Sequence, residues 1–343
     1  MERKRHISFD VLNIVASFGV IAMHCNWIVH QYSDTIAWKQ SLVVDVLFYW
    51  AVPVFFMISG ATLIGYDKKY SSVLFLKKRV KKTVIPFFIW SMVAFAYQCI
   101  TGAIKIQQIT FKSFLNGIFL TEYMGVYWFF VPLFMTYMCI PVLSKLVDNK
   151  KILWYISGMA FMTYSVFPFL STVTGIAWNP SFSFPMAGGY LMYTVLGWLL
   201  HNTDFSQKSR RWIYALGVFG MSVRYVGTYC LSNQETGVNT LFWEYMNWPS
   251  VCFAVAVFVF AEHVNWEKIL KKEKIKELIQ SLADGCFGIY LVHMYFINII
   301  WAVFDVTGYS FVWRVFSPVV IYFLSLCTVK CIKRIPILKN IIP

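Results

Sequence analysis

Residues 10–29 read DVLNIVASFGVIAMHCNWIV, and this stretch decides the class of fold. It is close to the ~20 apolar residues that an α-helix needs to cross a bilayer, yet it holds Asp10 near its start and His24 in its far half. A titratable side chain at membrane depth is costly and is kept where it lines a cavity or a pathway. His24 is therefore the residue to explain.

The rest of the chain has the same texture. Its 343 residues are 59% hydrophobic and only 13% charged, with a mean hydropathy of +0.60. A water-soluble domain is roughly half apolar and about a quarter charged, so this is an all-α polytopic membrane protein. The first apolar run is too long for a signal peptide and lacks a small-residue cleavage site after it, so it is expected to stay as a transmembrane helix. The eight cysteines show no CxxC pair and no Cys/His zinc spacing. Most fall in apolar runs, where cysteine packs as a small hydrophobe, and neither disulfides nor a metal are expected.

Ten apolar runs follow one another: 8–29, 41–65, 83–101, 124–147, 152–172, 184–200, 212–231, 248–263, 285–304 and 311–330. The sixth and eighth are short. Cytoplasmic loops accumulate Lys and Arg, and a ten-helix alternation puts most of the 30 basic residues on one side. They cluster at Arg3 to Arg5, Lys68 to Lys82, Lys145 to Lys151, Lys208 to Arg211, Lys268 to Lys276 and Lys330 to Lys339; the exceptions are Lys39, Lys105, Lys112, Arg224 and Arg314. Both termini are then cytoplasmic. The net charge of +14 needs no nucleic acid to explain it.

The opposite face is rich in aromatic and hydrogen-bonding residues, among them Trp178, Trp243, Glu244 and Trp248. Such rings either form an interfacial belt or stack on a sugar. His24 and Asp45 lie at similar depth on consecutive helices, since each residue advances a helix by ~1.5 Å. Two readings fit: a catalytic His–carboxylate pair, or a satisfied interior histidine beside an acid facing outer water. On the second helix Ser59, Gly60 and Gly65 suit close helix approach. The Lys68–Lys82 run suits an anionic lipid surface or the phosphates of an anionic cofactor. Asp10 favours the positive end of its helix or pairs with a nearby cation. Mid-helix Arg224 needs an acid or a wet cavity, and His293 fits either donor contact or an interhelical hydrogen bond.

The chain carries AMHC at 22–25, PVFFMISGATLI at 53–64, FLKKRVKKTVIPFFIWS at 75–91, YWFFVPLFMTYMCIPVLSKL at 127–146, GGYLMYTVLGWLL at 188–200 and FGIYLVHMYF at 287–296. In that order these segments resemble the membrane acyltransferase 3 family. The resemblance implies one transmembrane domain spanning residues 1–343, in the form without an extra soluble domain, in a bacterial cytoplasmic membrane. It implies transfer of an acyl group, usually acetyl, from cytoplasmic acyl-coenzyme A to a hydroxyl of an envelope carbohydrate or glycolipid, with no metal. His24 matches the expected catalytic histidine, with Asp45 as its candidate partner. Lys78, Arg79, Lys82 and Ser59 are then candidates for the donor, and Trp243, Glu244 and Trp248 for the acceptor. Two positions depart from the family pattern: Asn13 stands where many members have Arg, and RxxR is RxxK here, ending in Lys82. Lys keeps the charge but lacks the bidentate fork of Arg. A secondary transporter, or a membrane scaffold without activity, remains the rival to the enzyme.

Overall fold

The computed structural model describes residues 5–336 and 338–342. Arg3 and Lys4, part of the first basic cluster, lie outside the described residues. Twelve helices organise the chain: α1 Ile7–Cys25, α2 Ile36–Lys68, α3 Ser72–Ile100, α4 Phe111–Phe119, α5 Gly125–Leu146, α6 Lys150–Thr174, α7 Tyr190–His201, α8 Gln207–Leu231, α9 Trp248–His263, α10 Glu273–Ala283, α11 Cys286–Phe304 and α12 Phe311–Arg334. No strand forms among the described residues beyond one isolated bridge, Asn233 with Gly237. Seven of the helices, α1, α2, α3, α5, α6, α11 and α12, are long and apolar enough to cross a membrane. The three other expected runs form α7, α8 and α9. At ~1.5 Å per residue, the 12 residues of α7 span only about 18 Å, less than a hydrocarbon core.

The helices run alternately up and down, and the contacts at their ends record it. At one end Arg5 pairs with Asp284 at 3.0 Å, Lys68 with Asp148 at 3.3 Å, Lys145 with Asp67 at 3.2 Å and His201 with Glu262 at 2.9 Å. Lys333, near the end of α12, donates to the Asp284 carbonyl at that same end. The start of α1 and the end of α12 therefore share the basic end.

The Lys- and Arg-rich segment read as a loop is helical instead. Ser71 caps α3, its hydroxyl accepting from the Leu74 N–H, so Lys77 to Lys82 lie on the first turns of a helix. Lys, Arg and Leu are good helix formers whatever their hydropathy. Just before Pro86 the helix widens to a π turn over Val80–Val84, and α6 does the same over Met162–Val166 before Pro168. Proline has no N–H to give the preceding turn, and a widened turn absorbs the mismatch.

The centre is built on a close crossing of α2 with α7. A Cβ added to Gly60 would sit 1.8 Å from the Thr194 carbonyl oxygen, and one added to Gly197 would sit 2.0 Å from the Met57 oxygen. Each glycine thus faces the other helix's backbone, which cannot swing aside. Gly65 plays no such part, with nothing within 4 Å of its added Cβ. This contact buries α7 in the protein interior, with Met192, Tyr193, Val195 and Leu199 fully covered. Overpacking costs about 1–3 kcal/mol where side chains can yield, and more against backbone. Gly60→Ala and Gly197→Ala should therefore each lower the thermal unfolding midpoint of the purified protein by several degrees or prevent its accumulation, whereas Gly65→Ala should leave it within about a degree.

Candidate active site

His24 occupies the last turn of α1, where the chain is locked by its neighbour Asn26. The Asn26 amide donates to the carbonyls of Ala22 and Arg314, and its oxygen accepts from Ser41. The His24 ring lies nearly parallel to that of His293 on α11, with centroids 5.1 Å apart and planes at 12°. Its Nδ1 is 3.0 Å from His293 Nε2. His293 is fully buried, and its Nδ1 faces the carbonyls of Tyr290 and Ile289 at 2.8 and 3.1 Å. The other His24 nitrogen, Nε2, makes no hydrogen bond to a described residue.

The carboxylate expected beside His24 is committed elsewhere. Asp45 Oδ2 accepts from Arg224 Nη2 at 2.8 Å, with side-chain exposures of only 8% and 2%. Arg224 also donates through Nη1 to the Phe242 carbonyl, and its guanidinium lies 3.3 Å over the Tyr49 ring. A buried arginine commands the nearest carboxylate, since leaving either charge unpaired costs several kcal/mol. His24 is left with a neutral partner.

Both His24 and Asp45 border one cavity of about 590 Å³, at the end opposite the basic residues. Its wall includes Trp27, Tyr49, Trp128, Trp243, Tyr245 and Trp301, with Asn298 and His30 as further polar groups. Tyr49 stacks on Tyr245 at 4.2 Å and Tyr245 on Trp128 at 5.9 Å, making a continuous aromatic face. Tyr49 lies at the junction of the two segments of α2, where the backbone stays close to helical.

A second cavity, of about 200 Å³, lies towards the basic end. Asn13, Ser59, Thr83 and Tyr137 supply its polar wall, and Phe55, Phe129, Phe287 and Tyr290 much of its apolar one. Arg79 flanks it, its guanidinium 5.6 Å from the rings of both Tyr137 and Phe75, with a buried Nε that has no hydrogen-bond partner. Lys78 lies 3.9 Å over Tyr70, and Lys82 is exposed on the widened turn. The two cavities share no lining residue. Phe129 and Tyr290 line the inner cavity with their rings 5.4 Å apart, and the Tyr290 ring is 5.7 Å from that of His293, the ring partner of His24.

Of Trp243, Glu244, Trp248 and Asp10, one borders a cavity. Trp243 borders the outer cavity, but Trp248 packs between Phe169 and Phe219, and Glu244 is not in the cavity wall. Asp10 pairs with Arg5 at 2.6 Å at the basic end, and the bond raises the Arg5 pKa. Tyr49, Tyr290 and Asn298 were not singled out in the sequence, because a tyrosine or asparagine in an apolar run carries no mark of the face it occupies. Among the described residues, no three His, Cys, Asp or Glu side chains gather as a metal site.

The acyltransferase domain family, acyltransferase 3, matches residues 6–332, nearly the whole chain. No curated protein and no solved structure matches it. With apolar membrane-length helices along its length and a family match from one end to the other, the chain is a multi-pass membrane protein belonging to the acyltransferase 3 family.

Proposed function

We propose that this protein moves an acyl group, acetyl in its simplest form, from acyl-coenzyme A on the basic, cytoplasmic side to a hydroxyl of an envelope carbohydrate on the other, with His24 as general base. The setting is a bacterial cytoplasmic membrane. One observation carries the reading: His24 borders the outer cavity with Nε2 unbonded, while its ring partner His293 leans on Tyr290, which borders the inner cavity. The histidine thus stands where a donor from one side and an acceptor from the other converge.

Size and charge divide the two substrates. At about 200 Å³ the inner cavity is below the ~300–1,000 Å³ of drug-sized sites, enough for an acyl group and the end of a thiol arm. The nucleotide phosphates stay outside it, at Lys78, Arg79 and Lys82, where the orphaned Arg79 Nε awaits an acceptor. Ser59 and Asn13 line the route between. On the far side the stacked Tyr49, Tyr245 and Trp128 give a sugar ring a face to lie on, and Asp45 gives its hydroxyls an acceptor. Trp243 closes that wall, its ring 5.0 Å from His30.

Within this arrangement His24 Nε2 takes the acceptor hydroxyl proton as that oxygen adds to the thioester carbonyl carbon. The carbon–sulfur bond then breaks, and the departing sulfur receives the proton, leaving an ester and a free thiol. General base catalysis of this kind is worth about 10² to 10⁴ in rate. The Tyr290–Phe129 partition must part for the thioester to reach His24, since the two cavities are separate at rest.

Purified protein given labelled acetyl-coenzyme A should release thiol and label envelope glycans. His24→Ala should cut turnover at least about 10²-fold with an unchanged unfolding midpoint; turnover at the wild-type rate, or substrate flux that needs no coenzyme, would refute the proposal. Asp45→Asn, which still accepts from Arg224, should raise the acceptor KM by about 10-fold or more, the worth of one hydrogen bond to a charged group, and leave the donor KM alone. A raised donor KM instead would move Asp45 out of the acceptor site.

A further inference from the structure

We infer that His293 is a positioning residue that fixes the ring tautomer of His24, placing the single proton on Nδ1 so that Nε2 is the basic nitrogen turned to the outer cavity. The inference rests on the reading of His24 as the base and adds the group that sets it up. Every step is a matter of donors and acceptors. The carbonyls of Tyr290 and Ile289 can only accept, and both lie within hydrogen-bond range of His293 Nδ1. That nitrogen therefore carries the proton. A neutral imidazole has one N–H, so His293 Nε2 is a bare lone pair. It lies 3.0 Å from His24 Nδ1, which must then be the donor. The His24 proton is spent on Nδ1, and Nε2 keeps its lone pair.

The frame around the pair holds this pattern in place. His293 is fully buried on α11, and its neighbour Tyr290 donates through its hydroxyl to the Val126 carbonyl on α5. His24 is held by the Asn26 bonds to α1 and α12. In water the neutral histidine side chain favours the opposite tautomer, with the proton on Nε2, so an unassisted His24 would present an N–H to the acceptor hydroxyl and be the wrong way round to act as a base. The usual remedy is a carboxylate on Nδ1. Asp45 is tied to Arg224 and cannot serve. A second histidine does the same orienting without adding a buried charge. When His24 takes a proton, the Nδ1–H to Nε2 bond becomes charge-assisted, and the helix carbonyls behind His293 polarise in the same sense.

The test is nitrogen-15 NMR of histidine-labelled full-length protein in nanodiscs, at mildly alkaline pH where both rings are neutral, with His24→Gln and His293→Gln spectra to assign the signals. The expected result is a protonated Nδ1 and bare Nε2 on both rings in the wild type, and a shift of His24 towards the Nε2–H form in His293→Leu. In turnover, His293→Leu should lose about 10²-fold in kcat with both KM values unchanged, and His293→Gln, whose amide oxygen can accept from Nδ1–H, should recover much of that loss. A wild-type His24 protonated on Nε2, an unmoved His24 signal in His293→Leu, or equal kcat in the Leu and Gln variants would overturn the inference. The wild-type spectrum needs neither substrate nor variant activity. Full turnover by His24→Ala would sink the base reading while leaving that spectrum as it is, so the two failures are distinguishable.

Discussion

Inside a hydrocarbon layer there is no water to complete a hydrogen bond, so each polar side chain must find its partner within the protein. That constraint explains the site better than any single motif does. Arg224 is the most demanding group, a permanent cation in the middle of α8, and it takes Asp45 together with the Phe242 carbonyl and the face of Tyr49. With Asp45 consumed, His24 turns to His293, and His293 turns to the carbonyls of its own helix. A chain of neutral donors and acceptors results. It closes on the α11 backbone at one end and opens on the outer cavity at the other.

This polar arrangement depends on an apolar one. The crossing of α2 with α7 is close enough for backbone to touch backbone at Gly60 and Gly197, and in a membrane such small-residue contacts replace the hydrophobic effect as the source of helix association. The crossing holds the second half of α2, with Phe55, Ile58 and Ser59, against the inner cavity, while Tyr49, at the junction of its two halves, lines the outer one. Because α7 is short and buried over Met192–Leu200, its neighbours pack around it as a core. The cavities lie in the space that remains between α1, α2, α5 and α11.

The sequence revealed chemistry where a residue was costly in its setting, and failed where rotation about a helix axis decided the outcome. His24 and Arg224 stood out because each is polar within an apolar run. Depth along the helices placed Asp45 level with His24, and both do border one cavity. Depth says nothing of which way a side chain turns, so the pairing went to Arg224, 179 residues away in the chain. Trp243 and Trp248 show the same limit: five residues apart, they are alike in composition, yet one faces the cavity and the other packs against Phe169 and Phe219. The α3 boundary was obscured for another reason, since hydropathy reads Lys77 to Lys82 as loop although the same residues favour helix.

The partition between the cavities bears on how one reaction is shared between two faces of a membrane. Phe129 and Tyr290 pack ring against ring at 5.4 Å on the wall of the inner cavity, and Tyr290 is also the neighbour whose carbonyl anchors His293. In the proposed reaction, the Tyr290 ring swings aside about its own side-chain bonds while its backbone carbonyl, fixed within α11, goes on accepting from His293 Nδ1. Opening and orientation of the base thus meet at one residue, through its side chain and its backbone in turn. Ile289 supplies a second carbonyl at 3.1 Å, so the proton on His293 has two acceptors while the ring moves. The doubled carbonyl contact lets the barrier yield without losing the tautomer that the chemistry requires.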